Sequence, residues 1–340
     1  SQIDVTGCPS LALNGPGLPL REKQPLTPES KLCFTGSVSN PPDFKKFAVR
    51  CTERFPNTYF VPQFIDDLRL MYLGIPHPDT ADSRVLHPTN LDHPVFVEDK
   101  ARFFINLPSM FAFNREMDFN YGTRIHGAIG NILCGVPSLL FPTDARIREL
   151  AEYHNIPAIP ASAVTPDTDL AALYDQTDFR QVNNGHAERF WHLIDFLNEN
   201  GIKTIYDDRT GTPARSLYDE KTAATSYAQP VHSMLVRPPE EIARRVDAAV
   251  RLQRKEIEDD SRLATQLRDS QRKVTQLQER NKKQDAQIQA LKEERKALKT
   301  ELKATKKPLR RLAWYQRTST FGIGLARLKK KLRRLLGKEK

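Results

Sequence analysis

From Leu263 to Leu302 the apolar residues return every seventh position, and a stretch with that period cannot fold into a globular core. Leu267, Val274, Ile288 and Leu302 share one heptad position, and Leu263, Leu277, Leu291 and Leu298 share the other. So narrow a stripe is buried only against another helix. Asn281 occupies the first kind of position, where a buried amide fixes register and strand number, while Ser270, Gln284 and Arg295 dilute the seam. The spacing predicts a coiled coil over 240–307 that associates with a second copy through residues 263–305, a parallel homodimer being the simplest state. A solvated single helix is the alternative.

Charge divides the 340 residues in the same place. Residues 306–340 carry a net charge of +12, residues 240–305 carry +4, and the remaining 239 carry −6, which together make the +10 of the whole chain. The globular part is therefore mildly acidic, which argues against a core that binds nucleic acid, since that needs a basic face on the folded domain. Four cysteines, Cys8, Cys33, Cys51 and Cys134, form no C-x-x-C pair and suit neither a disulfide framework nor a zinc site. They point to a reducing compartment. No apolar run approaches the roughly 20 residues of a membrane helix, and no signal peptide opens the chain. It begins on a strand-like Ile3-Asp4-Val5 without Met, as a piece of a longer polypeptide would.

Between Lys31 and Pro160 short apolar runs alternate with helical patterns, the sign of βα units and a mostly parallel sheet. Strands are expected at Leu32–Thr35, Thr58–Pro62, Asp118–Tyr121, Val136–Phe141 and Ala158–Ile159. Helices are expected at Asp43–Arg54, Asp66–Leu73, Ala101–Phe113, Ile125–Cys134 and Ala145–His154, with another over 180–200. The fold class is thus α/β: a Rossmann-like domain over 31–205, preceded by an inter-domain segment at 1–30 and followed by a linker over 206–239. Pro308 is expected to end the coiled-coil helix. Beyond it, in a basic tail over 308–340, Leu325, Leu328, Leu332, Leu335 and Leu336 share one helical stripe. Lys329, Lys330, Lys331, Arg333 and Arg334 crowd the rest, after Trp314, Tyr315 and Phe321. That composition suits a helix lying in an anionic membrane interface; a solvated basic tail and nonspecific nucleic-acid binding are the other readings.

The chemistry concentrates in Asp118–Pro157. A strand ends at Tyr121, Gly122 permits a tight turn, and Arg124 and His126 fall where the next helix starts. Free backbone N–H groups and the positive helix end favour an anion there, and Arg124 adds a fork matched to phosphate or carboxylate. Gly127 and Gly130 leave room for a ligand or a neighbouring chain segment to approach. A second cradle is expected after Val136–Phe141, where Thr143 or Asp144 can cap a helix with Arg146 and Arg148 in its first turn. His154, His186 and His192 lack metal-ligand spacing and read as structural.

Four segments in order resemble the polysaccharide pyruvyl transferase family: T-G-C-P-S at Thr6–Ser10, G-T-R-I-H-G at Gly122–Gly127, G-V-P at Gly135–Pro137 and D-A-R-I-R-E-L at Asp144–Leu150. They bracket about 150 residues, and the resemblance fades after Pro160. It implies the second half of a GT-B-like fold and transfer of a pyruvyl group from phosphoenolpyruvate to sugar hydroxyls. The product would be a ketal in glycan biosynthesis, and no metal or further cofactor would be needed. It assigns the donor to Arg124 and His126 as catalytic residues, with Gly122, Gly127, Asp144 and Arg146 lining the substrate site. The acceptor would be a glycan or lipid-linked sugar, met in the cytoplasm or on the inner face of the membrane. Two other functions fit the same residues: a glycosyltransferase whose nucleotide-sugar diphosphate fills the cradle, and a noncatalytic coiled-coil scaffold.

Overall fold

The computed structural model describes residues 3–37, 40–77, 88–207, 209, 217–318 and 320–335. In chain order the strands are β1 (Leu32–Thr35), β2 (Thr58–Phe60), β3 (Phe119–Gly122) and β4 (Ser138–Leu140). The helices are α1 (Pro42–Arg54), α2 (Ile65–Leu73), α3 (Pro94–Val97), α4 (Leu107–Asn114), α5 (Ile125–Leu133), α6 (Ala145–Tyr153), α7 (Leu170–Gln176), α8 (His186–Glu199), α9 (Leu217–Thr222), α10 (Pro239–Thr318) and α11 (Thr320–Leu335). All four strands are parallel, in the order β2-β1-β3-β4. The chain therefore steps from β1 to one side, then returns to lay β3 on the other. The carboxyl ends of β1 and β3 flank the resulting switch point, the place where open α/β sheets bind ligands.

Burial on both faces explains the continuous apolar strands. Leu32 and Phe34 of β1, Phe119 and Tyr121 of β3, and Leu139 of β4 meet Phe44 and Phe47 of α1 and Tyr174 of α7 on one face. Leu140 points the other way, into a layer built from Ile125, Ile129 and Ile132 of α5, Ile147 of α6 and Leu11 of the N-terminal segment. Ala158, expected in a fifth strand, makes a single parallel bridge to Leu140.

Several expectations are corrected. Ile3-Asp4-Val5 is not a strand. The helix expected from Ala101 starts only at Leu107, because Ala101 and Phe103 are tied by backbone bridges to Phe60 and Val231 and Asn106 caps the helix by accepting from the Ser109 N–H. Pro308 lies inside α10 and does not end it. One missing N–H removes one rung, and the flanking lysines and arginines are strong helix formers. The stretch 206–239 is not an open linker: Val231 bridges Phe103, Ser233 is wholly buried, and Met234 packs under Gly74. Residues 208 and 210–216 of that stretch lie outside the described residues.

Two compact units result, Ser1–Arg254 and Lys255–Lys340. The first takes in the N-terminal segment and the start of α10. In the second, the heptad residues are all exposed, from 48% at Ile288 to 63% at Leu291. Leu325, Leu328 and Leu332 of α11 are exposed too. Leu336 and the side chains of Tyr315, Phe321 and Leu335 lie outside the described residues. Among the described residues no helix is long and apolar enough to cross a membrane.

Candidate functional site

Gly122 brings the end of β3 against β1. With φ of +154°, it occupies backbone space that L side chains rarely enter, and a Cβ there would come within 2.2 Å of the Thr35 carbonyl oxygen. That same oxygen accepts the N–H groups of Thr123 (2.9 Å) and Arg124 (3.3 Å). Thr123 Oγ1 donates to Asn40 Oδ1 at 2.8 Å, tying the turn to the loop after β1. The chain then enters α5 with Arg124 at the N-cap and no side chain capping the first turn. An uncapped helix start at a switch point is a ready anion site.

Arg124 is half-buried and, among the described residues, forms no ion pair or side-chain hydrogen bond; its guanidinium lies 4.2 Å from the centre of the Phe64 ring. Burial and the neighbouring Arg146 charge push it below its ordinary value, opposed by Asp67 and Asp144. His126 reaches the surface, yet it is held below 6.5, first by partial desolvation and then by the charges of Arg146 and Arg124. The unliganded imidazole is therefore a neutral base set among cations. The Arg124 and Arg146 charges thus act together on His126, although the sequence sets Arg146 in a separate cradle.

The other expected residues have different tasks. Gly127 is buried against β1, where a Cβ would lie 2.7 Å from the Thr35 side chain, so its smallness serves packing. Asp144 accepts from the Ile147 N–H at 2.8 Å and caps α6. A carboxylate therefore caps that helix start, where the sequence leads one to expect a second cradle, and the Arg146 charge is felt at Arg124 and His126.

Three residues escaped the sequence reading: Phe64, Asp67 and Cys8. The first two enter with α2, whose sequence shows only an ordinary acidic first turn. Cys8 Sγ lies 3.9 Å from His126 Nε2, and the Cys8 N–H donates to His154 Nε2 at 2.8 Å. Gly7, at φ +68°, lies where a Cβ would come within 2.4 Å of the Tyr153 ring. The T-G-C-P-S segment is thereby clamped onto the end of α6. Beside it an apolar cleft of about 500 Å³ opens against His126, with Pro9, Ser10, Phe104, Met110 and Phe111 among its walls. Among the described residues no three His, Cys, Asp or Glu side chains are grouped to hold a metal ion.

No family model matches the chain, and no curated protein matches it. Solved structures similar to part of it include the glycotransferase of kitacinnamycin, 17% identical with a TM-score of 0.28 over 52% of this chain and 45% of that one. Another is the glycosyltransferase SnogD from Streptomyces nogalater, 15% identical with a TM-score of 0.26 over 50% of this chain and 42% of that one. The chain spans less than half the length of either. Likenesses so slight leave the assignment to the chemistry of the site itself.

Proposed function

We propose that this chain belongs to a transferase that moves a pyruvyl group from phosphoenolpyruvate onto sugar hydroxyls of a glycan or lipid-linked precursor, with a second half of a GT-B-like fold as its donor domain. The observation that carries the reading is the Arg124 guanidinium, half-buried and, among the described residues, in no ion pair, beside an uncapped helix start. A small donor with both phosphate and carboxylate uses both features at once.

In this reading Arg124 and Arg146 hold the donor. His126, protonated beside the bound donor, gives its proton to the methylene carbon and leaves a cationic C2. A sugar hydroxyl adds there and returns its proton to His126. Phosphate departs with the C2–O electron pair and takes up the proton of the second hydroxyl as that closes the ketal. The neutral His126 accepts a hydroxyl proton. The bound anionic donor raises its affinity for protons and so suits it to return one. The basic tail over 308–340 docks on anionic lipid and keeps the enzyme at a membrane surface, on the cytoplasmic side.

Calorimetry on the full chain with phosphoenolpyruvate and, separately, with nucleotide-sugars tests the donor. Binding of phosphoenolpyruvate that is lost in Arg124→Ala supports the reading. Nucleotide-sugar binding alone replaces it with glycosyl transfer, and binding of neither, with Arg124 and His126 substitutions silent in the cell, leaves a scaffold.

A further inference from the structure

Eight seam residues of the second unit are large, apolar and exposed. Burying such a stripe is the main source of stability for a helix of this kind. We infer that residues 263–306 form a parallel, in-register two-stranded coiled coil with a second copy of this chain, its orientation chosen by ion pairs beside the seam and by Asn281.

Let a denote the heptad position of Leu267, Val274, Asn281, Ile288, Arg295 and Leu302, and d that of Leu263, Leu277, Leu291 and Leu298. In a parallel pair each residue just before an a position lies across from the partner residue five further on. The sequence then sets Arg280 against the partner's Asp285, Glu294 against the partner's Lys299, and Glu301 against the partner's Lys306. Lys273 meets the partner's Gln278, and Gln287 meets the partner's Lys292. Over these turns every fully charged pair is attractive and none is repulsive. Registration also stacks Asn281 on its own copy, so the two amides can bond to each other. An antiparallel pair sets a against d, and the amide loses that partner. Registration likewise sets Arg295, the one charged residue of the seam, against its own copy, a like-charge contact that Glu294 beside it on each chain offsets in part.

The orientation is read out by Asn281→Cys in the full chain under mild oxidation. The four native cysteines are all buried, so a linked dimer reports residue 281 alone. The expected result is a dimer at micromolar concentration by sedimentation equilibrium, linked in near-quantitative yield through Cys at 281. A monomer, or a dimer that does not link there, overturns the proposal. The ion pairs are tested by Glu294→Lys with Glu301→Lys, which should raise the dimer dissociation constant about tenfold or more at low salt. Adding Lys299→Glu and Lys306→Glu should restore it, and failure to restore it overturns the assigned register. These residues belong to the second unit and the anion site to the first, so donor binding by the same variants separates the dimer from the donor assignment.

Discussion

His154 Nε2 accepts the backbone N–H of Cys8 at 2.8 Å, joining residues 146 apart in the chain. A proton on that nitrogen would break the bond, and burial together with the Arg189 and His186 charges holds the ring down to about 4, against its ordinary 6.5. The unfolded chain thus takes up the proton first. Stability from this group is complete above pH 6.5 and is lost as pH falls from there to about 4. The melting temperature should drop through that window, with at most about 1.4 kcal/mol lost per pH unit from this one group. His154→Gln keeps an acceptor without the titration and should show a shallower slope. An unchanged slope would assign the acid sensitivity elsewhere.

Phe64 and Arg124 give a second test, one confined to the anion site. With the guanidinium 4.2 Å above the ring, the contribution of a cation–π platform is about 0.5–2 kcal/mol. Phe64→Leu should weaken phosphoenolpyruvate binding by about twofold to thirtyfold, while Arg124→Ala removes it. Calorimetry on the two variants, each with an unchanged melting temperature, distinguishes the platform from general damage.

The glycines of the R-x-H turn should differ in cost. At Gly122 an added methyl meets a backbone carbonyl, which cannot move aside, and Gly122→Ala should prevent folding at ordinary temperature. At Gly127 it meets the Thr35 side chain at 2.7 Å, an overpacking worth about 1–3 kcal/mol. At Gly130 the nearest atom is the far end of Met110, 3.0 Å away, and Gly130→Ala should cost least. Circular dichroism of Gly122→Ala and urea denaturation of the other two variants would give this order; a smaller loss at Gly127 than at Gly130 would mean that Gly127 is not held against β1.

Much of this arrangement was legible in the sequence because it is local. β1 to β4, of three or four residues each, fall within short apolar runs separated by helical periods, and Arg124 and His126 follow a strand and a glycine closely. What could not be read is what the topology brings together. Cys8 meets His126 and His154, and Phe64 meets Arg124, only because β3 crosses β1 after the chain has passed through β2. The late start of α4 was legible in part: Asn106 and Pro108 are ordinary helix-start signals, but the bridge from Phe103 to Val231 joins residues 128 apart and leaves no local trace.

The tail supplies the last test. Within α11, Leu325, Leu328 and Leu332 recur at spacings of three and four, exposed on one face, while Arg327, Lys329, Lys330, Lys331, Arg333 and Arg334 occupy the remainder. Three leucines alone bury too little hydrocarbon for firm attachment to neutral lipid. Each basic group adds about 1 kcal/mol near an anionic surface, an attraction that salt screens. Vesicles containing phosphatidylglycerol should therefore float the chain, and neutral phosphatidylcholine vesicles should not. Deleting residues 308–340 should abolish flotation. Replacing Leu325, Leu328 and Leu332 with Ser should leave weak, salt-sensitive association. Equal binding by the Ser variant and the parent chain would show that charge acts alone, without insertion of the apolar stripe.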